Sequence, residues 1–176
     1  MQIDYAVVEC SLGLVLVGAT AHGVCAVALG DDAATLEAEL RREYPAAAIE
    51  RADAQLADWT AAIVAHLAGD QPALELPLDV RATAFQERVW AALRAIPYGA
   101  TCSYGELARL LGAPSASRAV ARACATNRVA LVIPCHRVIA SDGGLGGYRW
   151  GIGRKQALLE QERATAGTGQ AALPLG

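Results

Sequence analysis

Three side chains able to do chemistry stand in a row at Cys135-His136-Arg137, directly after Pro134. A thiolate is a strong nucleophile, and neighbouring positive charge or a basic partner lowers a thiol pKa from ~8.5 into the range ~3.5–7.5. The apolar run Val129-Ala130-Leu131-Val132-Ile133 precedes the triplet and Val138-Ile139 follows it. Such a run is normally buried, and Pro134 fixes the chain direction before the thiol. The sequence therefore predicts a sheltered Cys135 held close to its thiolate form by His136 and Arg137.

The chain has five cysteines, an odd number, and no Cys-x-x-Cys pair. That speaks for a reduced intracellular protein and against a disulfide framework or a dithiol oxidoreductase. Cys10, Cys25, Cys102 and Cys124 sit among apolar or small residues and read as inert buried thiols. His22 and His66 read as surface groups, and Trp59 and Trp90 as core aromatics. Residues 1–30 hold acids but no Lys or Arg, so no basic-headed leader is expected. No apolar stretch approaches the roughly 18–20 residues of a membrane span.

The elements that must position Cys135 fall into two parts. Residues 1–81 hold 13 Asp/Glu against 4 Arg, a net of −9, whereas residues 82–176 hold 11 Lys/Arg against 5 Asp/Glu, a net of +6. A polyanion would be repelled by the first part and attracted by the second. In the first, Tyr5–Cys10, Gly13–Ala19 and Val24–Leu29 read as strands between turns. A helix from Asp31-Asp32 to Tyr44, a short strand at Ile49–Arg51 and a helix over Asp53–Leu67 follow. Residues 70–77, with two prolines, read as a linker. The expected domains are an α+β scaffold over 1–80, a working domain over 81–166, and a disordered tail over 167–176.

The second part is helical. Capping-box patterns at Thr83-Ala84-Phe85-Gln86 and Ser103-Tyr104-Gly105-Glu106 open helices to about Ala95 and Gly112. After Ala113-Pro114 a third helix runs from about Ser115 to Ala125, so the last two form a helix-turn-helix candidate. In that third helix Val120 and Cys124 can pack inward while Arg118 and Arg122 face outward. Its small residues would let the backbone press against a widened minor groove, since a helix about 10–12 Å across does not fit an undistorted one of about 6 Å. The glycine-rich loop Gly143-Gly144-Leu145-Gly146-Gly147 and a final helix from Arg154 to Ala164 complete the chain.

Residues 82–165 resemble the 6-O-alkylguanine-DNA alkyltransferases, and in particular the C-terminal half of the bacterial adaptive-response protein. The resemblance rests on Phe85-Gln86…Val89-Trp90, Ile96-Pro97-Tyr98-Gly99, Ser103-Tyr104-Gly105-Glu106-Leu107-Ala108 and Arg118-Ala119-Val120. It continues through Asn127, Ile133-Pro134-Cys135-His136-Arg137-Val138, Gly147-Tyr148-Arg149-Trp150-Gly151 and Lys155…Leu158-Leu159…Glu162. It implies an α+β protein in which a small ribonuclease H-like N-terminal domain precedes a mainly helical domain with a helix-turn-helix. It implies DNA repair by direct reversal: a single-turnover methyltransferase flips 6-O-methylguanine (4-O-methylthymine being a further candidate) out of duplex DNA. The alkyl group then passes irreversibly to Cys135.

The resemblance also assigns roles. Cys135 is the nucleophile, His136 the base acting through a water, and Glu162 the group orienting the imidazole. Tyr104 donates toward the departing guanine oxygen, helped by the Arg149 backbone N–H, while the carbonyls of Cys135 and Val138 read the guanine edge. Asn127 braces the turn before the active segment, and Tyr148 and Lys155 shape the pocket. Arg118 enters the stack where the base has left, with Ser117, Ala119, Ala121, Arg122 and Tyr104 along the DNA. The implied partner is double-stranded DNA, contacted through its minor groove by helix 115–125, with no membrane, no obligate protein partner and no cofactor. The location implied is the bacterial cytoplasm, on the nucleoid. Arg128 stands where many relatives have proline, and Thr20 and Cys25 occupy positions where some animal relatives hold zinc, so no metal is expected. Two alternatives remain: an alkylated-DNA sensor, whose relatives carry tryptophan at the cysteine position, and a fragment of a larger adaptive-response regulator. A thiol peptidase fits poorly with a helix-turn-helix.

Overall fold

The computed structural model describes residues 1–167; the expected tail lies outside the described residues, Gly167 apart. The chain divides into two compact units, residues 1–81 with 128–132, and residues 82–127 with 133 onward.

The first unit is built on strand alternation. Strands β1 (Gln2–Cys10), β2 (Gly13–Thr20) and β3 (Gly23–Gly30) form an antiparallel meander, and β4 (Ala48–Arg51) joins β1 in parallel, giving the order β3-β2-β1-β4. Because successive side chains alternate faces, Ile3, Tyr5 and Val7 of β1 pack with Leu16, Leu36, Leu40 and Ile49. Ala6 turns the other way, to Ala19, Leu56 and Trp59. Helix α1 (Ala33–Glu43) supplies Leu36 and Leu40 and is capped by Asp32, whose carboxylate accepts from the Thr35 amide. Helix α2 (Ala57–Leu67) begins four residues later than expected. Asp53, the expected start, spends its carboxylate on Arg51 at 2.8 Å rather than on an amide.

Three further expectations need correction here. The stretch read as a linker is fastened to β3: Val24 N–H donates to Pro77 O and Asp79 N–H to Val24 O, each at 2.8 Å. His66 is a buried group, 4% exposed, with Nδ1 2.8 Å from Gln71 O. Cys10 is only half-buried. The apolar run before Cys135 also belongs with this unit, since Val129 bridges to Val27 of β3 and Ala130 N–H donates to Val27 O at 3.0 Å. Val129 and Ala130 are fully buried, and Leu131, in the left-handed region at φ 73°, is buried beside them.

The second unit is helical, as the capping signals indicate. Thr83 and Gln86 close a capping box on α3 (Ala84–Arg94), and Ser103 and Glu106 close one on α4 (Tyr104–Leu110). Helix α5 (Ser117–Ala125) follows, two residues shorter than expected at its start, and α6 (Ile152–Ala166) is longer at both ends. Trp90 of α3 donates its indole N–H to Ala123 O at 2.9 Å, pinning the end of α5. One element escaped the sequence reading. Two-residue strands β5 (Cys102–Ser103) and β6 (Val138–Ile139) pair in parallel. That ladder is too short to leave a periodic signal.

Candidate active site

The β5–β6 pairing sets the site. Ser103 is both the last residue of β5 and the cap of α4, so Tyr104 emerges beside the tight 3-10 turn Cys135–Arg137 that leads into β6. Tyr104 and Cys135 line a cavity of about 380 Å³ with Ala121, Cys124 and Ala125 of α5 and Gly147, Tyr148 and Arg149 of the loop before α6. Its size falls within the ~300–1,000 Å³ of ordinary ligand pockets. A larger cavity, about 890 Å³, lies in the first unit among Thr20, Cys25, Tyr44, Asp79, Arg81 and Arg128. Size does not make it the better candidate, because it lacks a thiol paired with a base. Burial pushes the Cys25 thiol there up to about 11.

Behind the Cys135 cavity stands a fully buried pair. His136 Nε2 lies 2.7 Å from Glu162 Oε1, and the imidazole is 0% exposed. Arg137 donates to both oxygens of the same carboxylate, with Nε 2.9 Å from Oε2 and Nη2 2.9 Å from Oε1. Its Nη1 donates to Ile96 O at 2.9 Å. Burial pushes the Glu162 carboxyl up, but hydrogen bonds from His136 and Arg137, with the guanidinium charge, outweigh it and hold the group at about 2, well below the usual range. An ionised carboxylate accepts only, so the geometry assigns the imidazole proton to Nε2 and leaves Nδ1 as a lone pair. Burial pushes the His136 pKa down despite Glu162, which keeps the ring neutral. Nδ1 has no hydrogen-bond partner among the described residues.

The thiol corrects an expectation. Cys135 is sheltered, 5% exposed, but burial pushes its pKa up to about 11, against the pull of the Asn127 side chain and the Lys155 charge. Arg137, expected to stabilise a thiolate, is committed to Glu162. The resting site therefore holds a neutral thiol beside a neutral imidazole. Asn127 Nδ2 donates to Ile133 O at 2.9 Å and to Cys135 Sγ at 3.3 Å, bracing the segment from both ends of its turn. Lys155, fully buried, donates from Nζ to Val138 O at 2.6 Å and Gly147 O at 3.1 Å, tying β6 to the loop. Its ammonium lies 5.9 Å from the centre of the Tyr104 ring. Burial pushes the Tyr104 hydroxyl up to about 12, so it remains a proton donor through the neutral range.

Cys135, Tyr104, Tyr148, Arg149 and Ala121 thus share one cavity, with His136, Glu162, Asn127, Val138 and Lys155 in the shell that fixes it. Arg118, Ala119 and Arg122 lie on the exposed face of α5 and Ser117 is half-buried at its start, all outside the cavity lining, whereas Val120 and Cys124 are buried. The Arg149 side chain turns to Asn127 O at 3.2 Å. Sequence reasoning missed Arg137 as the partner of Glu162, and Cys124 and Ala125 as cavity wall. Cys124 follows Ala121 by three residues on one helix face, which is the signal that could have placed it. Among the described residues, no group of three or more His, Cys, Asp or Glu side chains is placed to hold a metal.

This chain belongs to the family of 6-O-methylguanine-DNA methyltransferases. Residues 84–164 match the family model for the 6-O-methylguanine DNA methyltransferase DNA binding domain. The chain is 49% identical over 162 residues to the bifunctional transcriptional activator/DNA repair enzyme Ada of Escherichia coli. That alignment covers 92% of this chain but 46% of Ada, so the chain spans less than half the length of that relative. Over 102 residues it is 53% identical to a methylated-DNA–protein-cysteine methyltransferase of Mycobacterium tuberculosis, covering 58% of this chain and 62% of the other. The crystal structure of M. tuberculosis O6-methylguanine methyltransferase superposes with a TM-score of 0.78 at 34% identity, over 95% of this chain and 96% of the other. The M. tuberculosis OGT in complex with DNA gives 0.77 at 32%, over 94% of each chain.

Proposed function

We propose that this protein repairs alkylated DNA by moving the alkyl group of 6-O-methylguanine, once and irreversibly, onto Cys135. The observation that carries this reading is the cavity of ligand size with the Cys135 thiol in its wall and the His136–Glu162 pair behind it. A guanine inside the stack cannot reach a buried sulfur, so the nucleotide must first be rotated out, at a cost of a few kcal/mol. Arg118 on the exposed face of α5 is the side chain we assign to the gap left in the stack, with Ser117, Ala119, Ala121 and Arg122 following the minor groove.

The chemistry then needs an ionised sulfur and an assisted leaving group. His136 Nδ1 takes the thiol proton through a bridging water, and Glu162, already ionised, stabilises the imidazolium. The sulfur attacks the methyl carbon, the carbon–oxygen bond breaks, and its electron pair goes to the guanine oxygen. Tyr104 donates a proton toward that oxygen, and the Arg149 backbone N–H supports it. The Val138 and Cys135 carbonyls read the guanine edge; each oxygen has two lone pairs, so the Lys155 contact leaves Val138 able to accept again. Lys155 and Asn127 hold the walls in register. The product thioether has no leaving route, so each molecule acts once. The second unit is thus the working domain and the first its scaffold, and the place of work is DNA in the bacterial cytoplasm. No helix among the described residues is long and apolar enough to cross a membrane.

Incubation with a duplex carrying 6-O-methylguanine should raise the intact mass by one methyl group, located on Cys135 by peptide mapping. Label should plateau near one per molecule and vanish in Cys135→Ala. Repeated turnover, or label elsewhere, would refute the mechanism.

A further inference from the structure

At the Cys135 site, two buried side-chain polar atoms have no hydrogen-bond partner among the described residues. One is His136 Nδ1, already given a role. The other is the hydroxyl of Tyr148. A buried hydroxyl is normally bonded, and one that is not calls for an explanation.

Tyr148 cannot turn its hydroxyl outward at will. Its ring packs edge-on against Trp150, with centroids 5.2 Å apart at 69°. Gly151 N–H donates to Tyr148 O at 3.1 Å, closing the turn, and Lys155 holds Gly147 O just before it. The ring lines the same cavity as Cys135. Burial first, then negative charge at Cys135 and Glu162, keeps the phenol protonated far above neutral pH against the opposing pull of Arg154. Tyr148 is therefore an unspent hydrogen-bond donor on the wall of the cavity that also holds the Cys135 sulfur, a weak acceptor as a thiol and a strong one as a thiolate.

We propose that the Tyr148 hydroxyl is the donor that receives the Cys135 thiolate, unbonded while the sulfur keeps its proton and bonded once that proton has moved to His136 Nδ1. The balance is closed: the S–H bond breaks, an N–H bond forms on Nδ1, and negative charge appears on sulfur where Tyr148 and Asn127 both donate. An interaction made only with the ionised sulfur lowers the cost of ionisation without stabilising the resting thiol. The proposal rests on Cys135 as the nucleophile, and not on the identity of the DNA lesion.

The test is the rate at which iodoacetamide, a small neutral electrophile, modifies Cys135 in the full chain, read by peptide mass across pH. The other titratable or charged groups around Tyr148 and the sulfur stay unchanged in Tyr148→Phe: Tyr104 on α4, Cys124 on α5, His136 and Arg137 on the turn, and Arg154, Lys155 and Glu162 on α6. That variant keeps the ring on Trp150. Its midpoint should rise by about one pH unit, with a roughly tenfold slower reaction below the midpoint and the same plateau above it. Placing 3-fluorotyrosine at position 148, a stronger donor in an unaltered fold, should shift the midpoint down. An unmoved midpoint in both proteins, or a loss equal at every pH, overturns the proposal. Failure of methyl transfer from DNA with the shifted iodoacetamide profile intact would count against the lesion alone.

Discussion

In the first unit the buried polar side chains are Thr60 and His66, and each is matched to one backbone carbonyl, Ala57 O and Gln71 O. The second unit buries Asn127, His136, Arg137, Lys155 and Glu162, four of them titratable. The first interior is held by apolar sheet faces such as Ile3, Leu16 and Val17. The second is held in part by charge placed where charge is expensive. An interior that only holds a sheet to its helices needs little ionisable content. A site that must move a proton out of water's reach does, and its stability then depends on every partner being present.

That contrast can be broken most sharply at Glu162. Glu162→Gln keeps the shape but strands the Arg137 guanidinium, and urea denaturation should show a loss of about 3–5 kcal/mol. The pH dependence has a definite sign. The Glu162 pKa is depressed from 4.5 to about 2, so its stabilisation is present above about 4.5 and withdrawn as pH falls toward 2. The wild type should show this acid limb and the variant should not. A cost below 1 kcal/mol, with the limb retained, would mean the ion pair does not hold this unit. Next in size, Leu16→Ala in the first unit removes an apolar side chain 1% exposed and should cost about 2–5 kcal/mol, equally at pH 4 and pH 7. A pH-dependent loss there would erase the distinction between the interiors. Smallest, Thr83→Ala opens the capping box of α3 and should cost about 1 kcal/mol in thermal melts. It touches neither interior, so a larger loss would show the cap reaching into the charged core.

Much of this was legible in the sequence because it is written locally. Runs of β-branched and small apolar residues between turns gave the first three strands, Ser103 and Thr83 announced their helices, and the Cys135 string marked the candidate site, to which only the family resemblance added Tyr104, Asn127 and Glu162. What was hidden depends on distance in the chain. Arg137 reads as a neighbour of Cys135, yet its partner is Glu162, 25 residues away. The Cys135 thiol reads as activated by adjacent cations, yet burial dominates and keeps it protonated. The β5–β6 pair joins Cys102 to Val138, a two-residue match that no periodicity can reveal. His66 reads as polar and terminal, but the returning chain at Gln71 covers it.

The membership of residues 128–132 in the first unit has a practical corollary. A truncated protein starting at Ala82 would carry Val129, Ala130, Leu131 and Val132 without the strand they lie along. These four side chains, at most 3% exposed in the intact chain, would become a greasy stretch next to the reactive segment and invite clumping. Anyone trimming the gene to its second unit should expect to replace that stretch with polar residues, or else keep β3.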